Sequence, residues 1–229
     1  HNFWIKNNSI DAIYEKQKLN ENELKKIILQ LKEKKIDGVN VTVPFKKIII
    51  PFLDKLSIEA DKTQSVNTLY LKNDKVIGHN TDIFGFETSI KKSQYDVFNK
   101  EVLILGAGGV VPSIIYALNK MKVAKIKISN RTKEKAENLK KLFKNIELTE
   151  WGEVPNFDII INATSIGLKK EDYLNLDFSF TSKKSLFYDV IYNPRVTNFL
   201  KTGKKLGNMT INGKLMFIDE ALSAFNILQ

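Results

Sequence analysis

EVLILGAGGVV, residues 101–111, decides the fold of this chain. After Glu101, four apolar residues follow without interruption, the pattern of a short strand buried on both faces in a parallel sheet. Gly106, Ala107, Gly108 and Gly109 then crowd into a loop with Val110, and PSIIYALNKM (112–121) continues with helical periodicity. A strand that runs through glycines into a helix is the setting of a dinucleotide-binding turn, in which backbone N–H groups approach a pyrophosphate at the helix N-terminus. An ordinary strand–turn–helix fits the loop as well. Val111 stands at the sixth position of the motif, where Gly or Ala is usual, and predicts slightly looser helix–strand packing there.

Outward from this stretch the pattern repeats. KIKIS (125–129) reads as a strand, KEKAENLKKLF (133–143) as a helix, and FDIIINATS (157–165) and SLFYDVIYNP (185–194) as further strands. Strands alternating with helices predict a Rossmann-type, doubly wound parallel sheet in an α/β protein. The second strand ends at Ser129, about 20 residues past the glycines, where an NAD-binding protein places an acidic residue on the ribose 2′-hydroxyl. This chain has Asn130, Arg131, Thr132 and Lys133 instead. Arg131 is one of two arginines beside 34 lysines. A guanidinium fork grips a phosphate in a fixed orientation, which a lysine does not. A surface residue at a helix start is the competing reading of Arg131; its rarity in this chain favours the phosphate. The expected cofactor is NADP.

Upstream the texture differs. Residues 20–36 place Leu24, Ile27, Ile28 and Leu31 at helical spacing, with Asn20 as a cap and Asp37-Gly38 as the stop. VNVTV (39–43) alternates, which predicts a strand with Asn40 and Thr42 on one face, ended by Pro44. Residues 65–82 read as a hairpin turning at Asn73-Asp74. Asn67, Asn80, Thr81 and Asp82 are short polar residues in apolar strands, costly unless partnered or used. His79 is a candidate base, but strand neighbours face opposite ways, so it turns from whatever Asn80 faces. The chain thus predicts two lobes: residues 1–82 with a returning C-terminal helix (213–229), and a Rossmann lobe over 83–212.

Composition limits the functions. The 229 residues contain no cysteine and two histidines, which argues against thiolate, disulfide and histidine-based metal sites. No run of about 18 apolar residues and no secretory leader is seen, so a soluble, cytoplasmic protein with no membrane partner is expected. The net charge of +10 comes from dispersed lysines without interleaved aromatics, so a nucleic-acid partner is not expected.

Seven segments, GVNVTVPFK, SVNTL, GHNTDIFGF, LGAGGV, SNRT, INATSIG and YDVIYNP, occur in the order found in the shikimate dehydrogenase family, which the chain resembles over nearly its whole length. That resemblance implies NADPH-dependent, reversible reduction of 3-dehydroshikimate to shikimate in aromatic amino-acid biosynthesis, by hydride transfer at C3. It implies a catalytic Lys46 with Asp82 as its partner. Substrate contacts are implied for Asn40, Thr42, Asn67, Tyr192 and Glu220. Cofactor contacts are implied for Gly106, Ala107, Gly108, Gly109, Val110, Asn130, Arg131, Thr132, Asn162, Ala163, Thr164 and Gly213. The small-molecule substrate is the expected partner, with a homodimer as the expected assembly. In the C-terminal segment Glu220 stands where a substrate-binding Gln is usual, and Leu215 where a Gly is usual. The family's Ser-x-Ser, placed just ahead of the His-Asn seen here as His1-Asn2, is not in the sequence, so the substrate lobe is expected without its first strand. Two alternatives stand beside this reading: an NAD-using quinate/shikimate-type enzyme, against which Asn130-Arg131 argues, and a truncated relative that binds NADP without turnover, which these departures motivate.

Overall fold

Periodicity explains the first elements of the structure, a computed structural model that describes His1 to Gln229. Helix α1 (Asn2–Asn7) opens the chain, and α2 (Leu24–Lys32) buries the four apolar residues spaced along it. The helix expected over 20–36 is shorter at both ends. Glu21–Glu23 form a single 3-10 turn, and the Asn20 N–H donates to Glu23 Oε2 at 2.7 Å in a capping box. At the other end Lys34 enters the left-handed region (φ 55°) and the Lys35 N–H closes back on the Gln30 carbonyl at 2.9 Å. The helix therefore stops before Asp37-Gly38.

The strand expected over 39–43 is also shorter. Strand β1 covers Gly38–Asn40. Val41 N–H still pairs with the Asn67 carbonyl at 2.8 Å, but the Thr42 carbonyl already accepts from Phe45 N–H at 2.9 Å, turning the chain into α3 (Phe45–Ile48). Pro44 cannot donate to a ladder and restricts Val43, so the turn is made ahead of it. Thr42 consequently leaves the strand face it was expected to share with Asn40. Next come β2 (Lys55–Leu56) and α4 (Ile58–Thr63), capped by Ser57 Oγ on Ala60 N–H at 3.2 Å. β3 (Thr68–Lys72) and β4 (Lys75–His79) form the hairpin; Asn73 and Asp74 have φ 51° and 56°, the conformation a tight two-residue turn requires. The four-stranded sheet has the order β1-β3-β4-β2, with β2 parallel to β4 and the other pairs antiparallel. Leu31, Ile49, Val66 and Leu69 lie at the centre of its core.

From Asp82 the chain alternates: α5 (Asp82–Ser93), β5 (Glu101–Leu105), α6 (Val111–Lys120), β6 (Lys125–Ser129), α7 (Lys133–Leu142), β7 (Glu147–Thr149), β8 (Ile159–Asn162), β9 (Leu186–Asp189), α8 (Asn198–Lys205), β10 (Met209–Ile211) and α9 (Lys214–Leu228). All neighbours in the six-stranded sheet are parallel, in the order β10-β9-β8-β5-β6-β7. This is the doubly wound dinucleotide-binding order, whose switch point lies between β5 and β8. Val102 and Ile104 join one apolar cluster and Leu103 and Leu105 another, so β5 is buried on both faces. The chain divides into two compact units, His1–Thr81 with Glu220–Gln229, and Asp82–Asp219.

The ends of β8 and β9 are held by a buried brace. Asp189 Oδ1 accepts from Ile191 N–H at 3.0 Å and from Asn162 Nδ2 at 3.1 Å, and Oδ2 accepts from the Thr197 hydroxyl at 2.6 Å. Burial pushes the Asp189 carboxyl up to about 6 despite these three bonds, each of which favours its charged form. A carboxyl with a raised folded-state pKa binds its proton more tightly in the folded chain. Its contribution to stability is complete below about pH 4 and is lost as pH rises through about 6. That loss reaches about 3 kcal/mol. Asp189→Asn keeps the shape and can donate to Thr197 Oγ1, so the variant is expected to gain stability on the wild type between pH 4 and 7 in denaturant titrations. A wild-type-to-variant difference that stays constant over that range overturns the assignment.

Candidate functional site

In the first unit the polar groups gather around Asn67, which is 2% exposed. Asn67 sits just before β3, and its amide orientation is fixed by groups that act in one sense only. Thr81 N–H, which can only donate, reaches Oδ1 at 2.9 Å, and the Glu220 carboxylate, which can only accept, receives Nδ2 at 3.1 Å. Nδ2 also meets Thr81 Oγ1 at 2.9 Å. Asn40 in β1 is half-buried; its Nδ2 donates to Thr68 Oγ1 at 3.2 Å, and the Thr68 hydroxyl reaches Asn67 Oδ1 at 3.2 Å. Asn40, Asn67 and Glu220 are thus brought into one network although Glu220 lies 153 residues beyond Asn67.

Lys46 is half-buried in α3 and its carbonyl accepts from Val66 N–H at 2.8 Å, while Lys47 is exposed. Thr42 is exposed at the turn before α3 and stands outside the network. His79 offers its carbonyl to Asn67 N–H at 3.0 Å; burial holds its imidazole below the usual histidine range. The Asn80 side chain goes the other way, to Thr63 Oγ1 at 3.0 Å. Sequence reasoning missed Tyr14. Its hydroxyl donates to Asn40 Oδ1 at 3.1 Å, and burial together with the Glu220 charge raises its pKa. The residue lies in a stretch without periodicity, between Ile13 and the charged run that starts at Glu15, and carries no local signal of its own.

In the second unit the chain leaves β5 at Gly106, whose φ of 108° suits glycine, and whose N–H bonds the Ser129 carbonyl at 2.8 Å. A β-carbon there would lie 2.9 Å from the Ala163 carbonyl, so the switch point is narrow on this side. Gly108 and Gly109 are exposed, and no atom within 4 Å would meet a β-carbon on Gly109. Ala107 and Val110 complete the loop, and Val111, fully buried, starts α6. At the end of β6, Asn130 Nδ2 closes on the Thr132 carbonyl at 2.8 Å, shaping the turn. Lys133 is engaged by Glu150 at 2.8 Å, which leaves the exposed guanidinium of Arg131 as the cation of this turn.

Asn162 is fully buried and its side chain braces Asp189, Ile166 and Thr164. These bonds shape the Ala163-Thr164 turn. Gly213 is glycine for packing: a β-carbon would fall on the Val190 carbonyl. Asp82 is buried at the first turn of α5, where the helix N-terminus favours a carboxylate, and Ser113 Oγ lies 3.4 Å from Oδ2. Tyr192 is half exposed and stacks on Phe217, with ring centroids 4.6 Å apart.

Known proteins resemble both units. Residues 1–69 match the shikimate dehydrogenase substrate binding domain, and residues 89–198 match shikimate/quinate 5-dehydrogenase. A shikimate dehydrogenase (NADP(+)) of Pelagibacter ubique is 57% identical over 227 residues, 99% of this chain and 86% of that protein. A crystal structure of shikimate dehydrogenase in complex with NADP+ superimposes with a TM-score of 0.92 at 32% identity, covering 100% of this chain and 83% of the other. That of Thermus thermophilus in complex with NADP(H) and shikimate gives 0.90 at 25% identity, covering 100% and 86%. With a parallel sheet wound around a glycine-lined switch point and this identity over its whole length, the chain belongs to the shikimate dehydrogenase family.

Proposed function

We propose that this chain interconverts 3-dehydroshikimate and shikimate with NADP, the reaction its family performs in aromatic biosynthesis. The observation that carries the reading is the glycine-lined switch point with Arg131 beside it. No side chain crowds Gly109, the helix α6 N-terminus follows, and the guanidinium at the end of β6 makes no ion pair with the protein. These residues fit a dinucleotide bearing a 2′-phosphate: Gly106 turns the chain while its own N–H is spent on Ser129, backbone N–H groups from Ala107 to Val110 would hold the pyrophosphate, and Asn130, Arg131 and Thr132 would hold the adenosine end. Ala163 and Thr164 border the nicotinamide half. The bound cofactor supplies or accepts a hydride.

The remaining chemistry belongs to side chains. A proton must reach or leave the C3 oxygen as hydride moves, and Lys46, with Asp82 as its charge partner, is assigned to hold it. Asn67 and Glu220 are assigned to substrate hydroxyls. The Glu220 carboxylate accepts only, so a hydroxyl meeting it must donate. Asn40 supports them, and Thr42 and Tyr192, both solvent-accessible, border the ring.

Two measurements test the reading. Arg131→Ala is expected to weaken NADP about 10- to 100-fold and NAD far less, because only the former loses a charge-assisted contact. Equal losses for both cofactors reduce Arg131 to a surface residue. Lys46→Met is expected to lower kcat roughly 10²- to 10⁴-fold with shikimate and NADP, with a smaller effect on KM. Asp82→Asn should also be severe, while Lys47→Met should leave most activity. Dispensable Lys46 with essential Lys47 shifts the assignment by one residue; if neither matters, the lysine assignment fails.

A further inference from the structure

The first unit contains a clamp on Tyr14. One side-chain amide brackets both backbone groups of that residue: Tyr14 N–H donates to Asn2 Oδ1 at 3.0 Å, and Asn2 Nδ2 donates to the Tyr14 carbonyl at 2.9 Å. This is the pairing that an adjacent strand would offer. The His1 ring stacks on the Tyr14 ring at 4.2 Å and 26°. His1 in turn meets Trp4, and both rings pack against Phe225, the buried aromatic on the same helix as Glu220. Backbone and ring of Tyr14 are therefore both held, which removes much of the rotamer freedom that an N-terminal tyrosine would keep.

Held in this way, the phenol starts a chain of hydrogen bonds with a single sense. Asn40 Nδ2 lies 3.4 Å from the Asn67 carbonyl, which can only accept, so Asn40 Oδ1 must face Tyr14 and receive its proton. Asn40 then donates to Thr68, Thr68 to Asn67, and Asn67 to Glu220. Every donor points toward the carboxylate. Such unidirectional chains polarise one another, and loss of one member loosens those downstream. Burial and the nearby Glu220 charge keep the phenol protonated, hence a donor.

We propose that Tyr14, clamped by His1 and Asn2, is a positioning residue that fixes Asn40, and through Thr68 fixes Asn67 and Glu220, in the orientation that receives the substrate's hydroxyls. The inference rests on the substrate assignment made above for Asn67 and Glu220. It gives the His1-Asn2 pair a function that neither residue has by contact with substrate.

The test compares the full chain with Tyr14→Phe, which removes the hydroxyl and keeps the stacked ring. The KM for shikimate is expected to rise about three- to tenfold, the factor one neutral hydrogen bond carries, with kcat and the KM for NADP within about twofold. In parallel, side-chain amide hydrogens of Asn67, followed by NMR hydrogen exchange on the 15N-labelled protein, should exchange faster in the variant. Asn2→Asp, which keeps the acceptor for Tyr14 N–H and loses the donor, should shift both readouts the same way by less. An unchanged shikimate KM, or Asn67 exchange equal to wild type, overturns the proposal; so does a parallel change in all kinetic constants, which marks a merely structural role. If the wild-type chain does not turn over shikimate, the proposed function falls, and the Asn67 exchange comparison still decides whether the relay exists.

Discussion

Strand β5 has neither a free edge nor a free face. Its backbone bonds are taken by β6 on one side and β8 on the other, and its side chains alternate between two apolar clusters. A strand enclosed in this way leaves the chain one exit, past its carboxyl end, and because its neighbours are wound in opposite directions that exit opens a crevice. Gly106 sits at the mouth, and its close approach to Ala163 leaves no room for a β-carbon. The position of the glycine loop, the start of α6 and the Arg131 turn at the end of β6 all follow from that one enclosure.

The second unit stabilises its crevice with buried polar groups, and the first unit does the same around Asn67. In both, an asparagine side chain is engaged at both of its ends: Asn162 by Asp189 and Thr164, Asn67 by Thr81 and Glu220. An amide held on both sides cannot flip, so it presents a definite face to its surroundings. Rigidity here comes from saturation of hydrogen bonds rather than from apolar packing.

The parallel sheet was legible because β5, β8 and β9 are apolar runs and β6 alternates lysine with isoleucine, each bounded by glycine, polar turns or proline. Strands β7 and β10 were not, since each is three residues long and sits at a sheet edge, where exposure erases the apolar signal. VNVTV read as five strand residues because alternation carries no information about a turn that starts ahead of a proline. In the site, Asn67 was legible as a polar residue in apolar surroundings, and Glu220 only through the family resemblance. Tyr14 was not, because its importance arises from contacts with Asn2 and Asn40, respectively 12 and 26 residues away. At Gly213 the structure adds a packing reason that the sequence did not carry: the Val190 carbonyl leaves no room for a side chain.

The contact between Asn67 and Glu220 asks only that residue 220 accept a hydrogen bond at one oxygen. A carboxylate and a carboxamide meet that demand equally well. Exchanging one for the other keeps the acceptor and changes the charge, the same charge that, with burial, raises the Tyr14 pKa. The bond to Asn67 therefore does not by itself fix the charge that position 220 offers to a bound molecule.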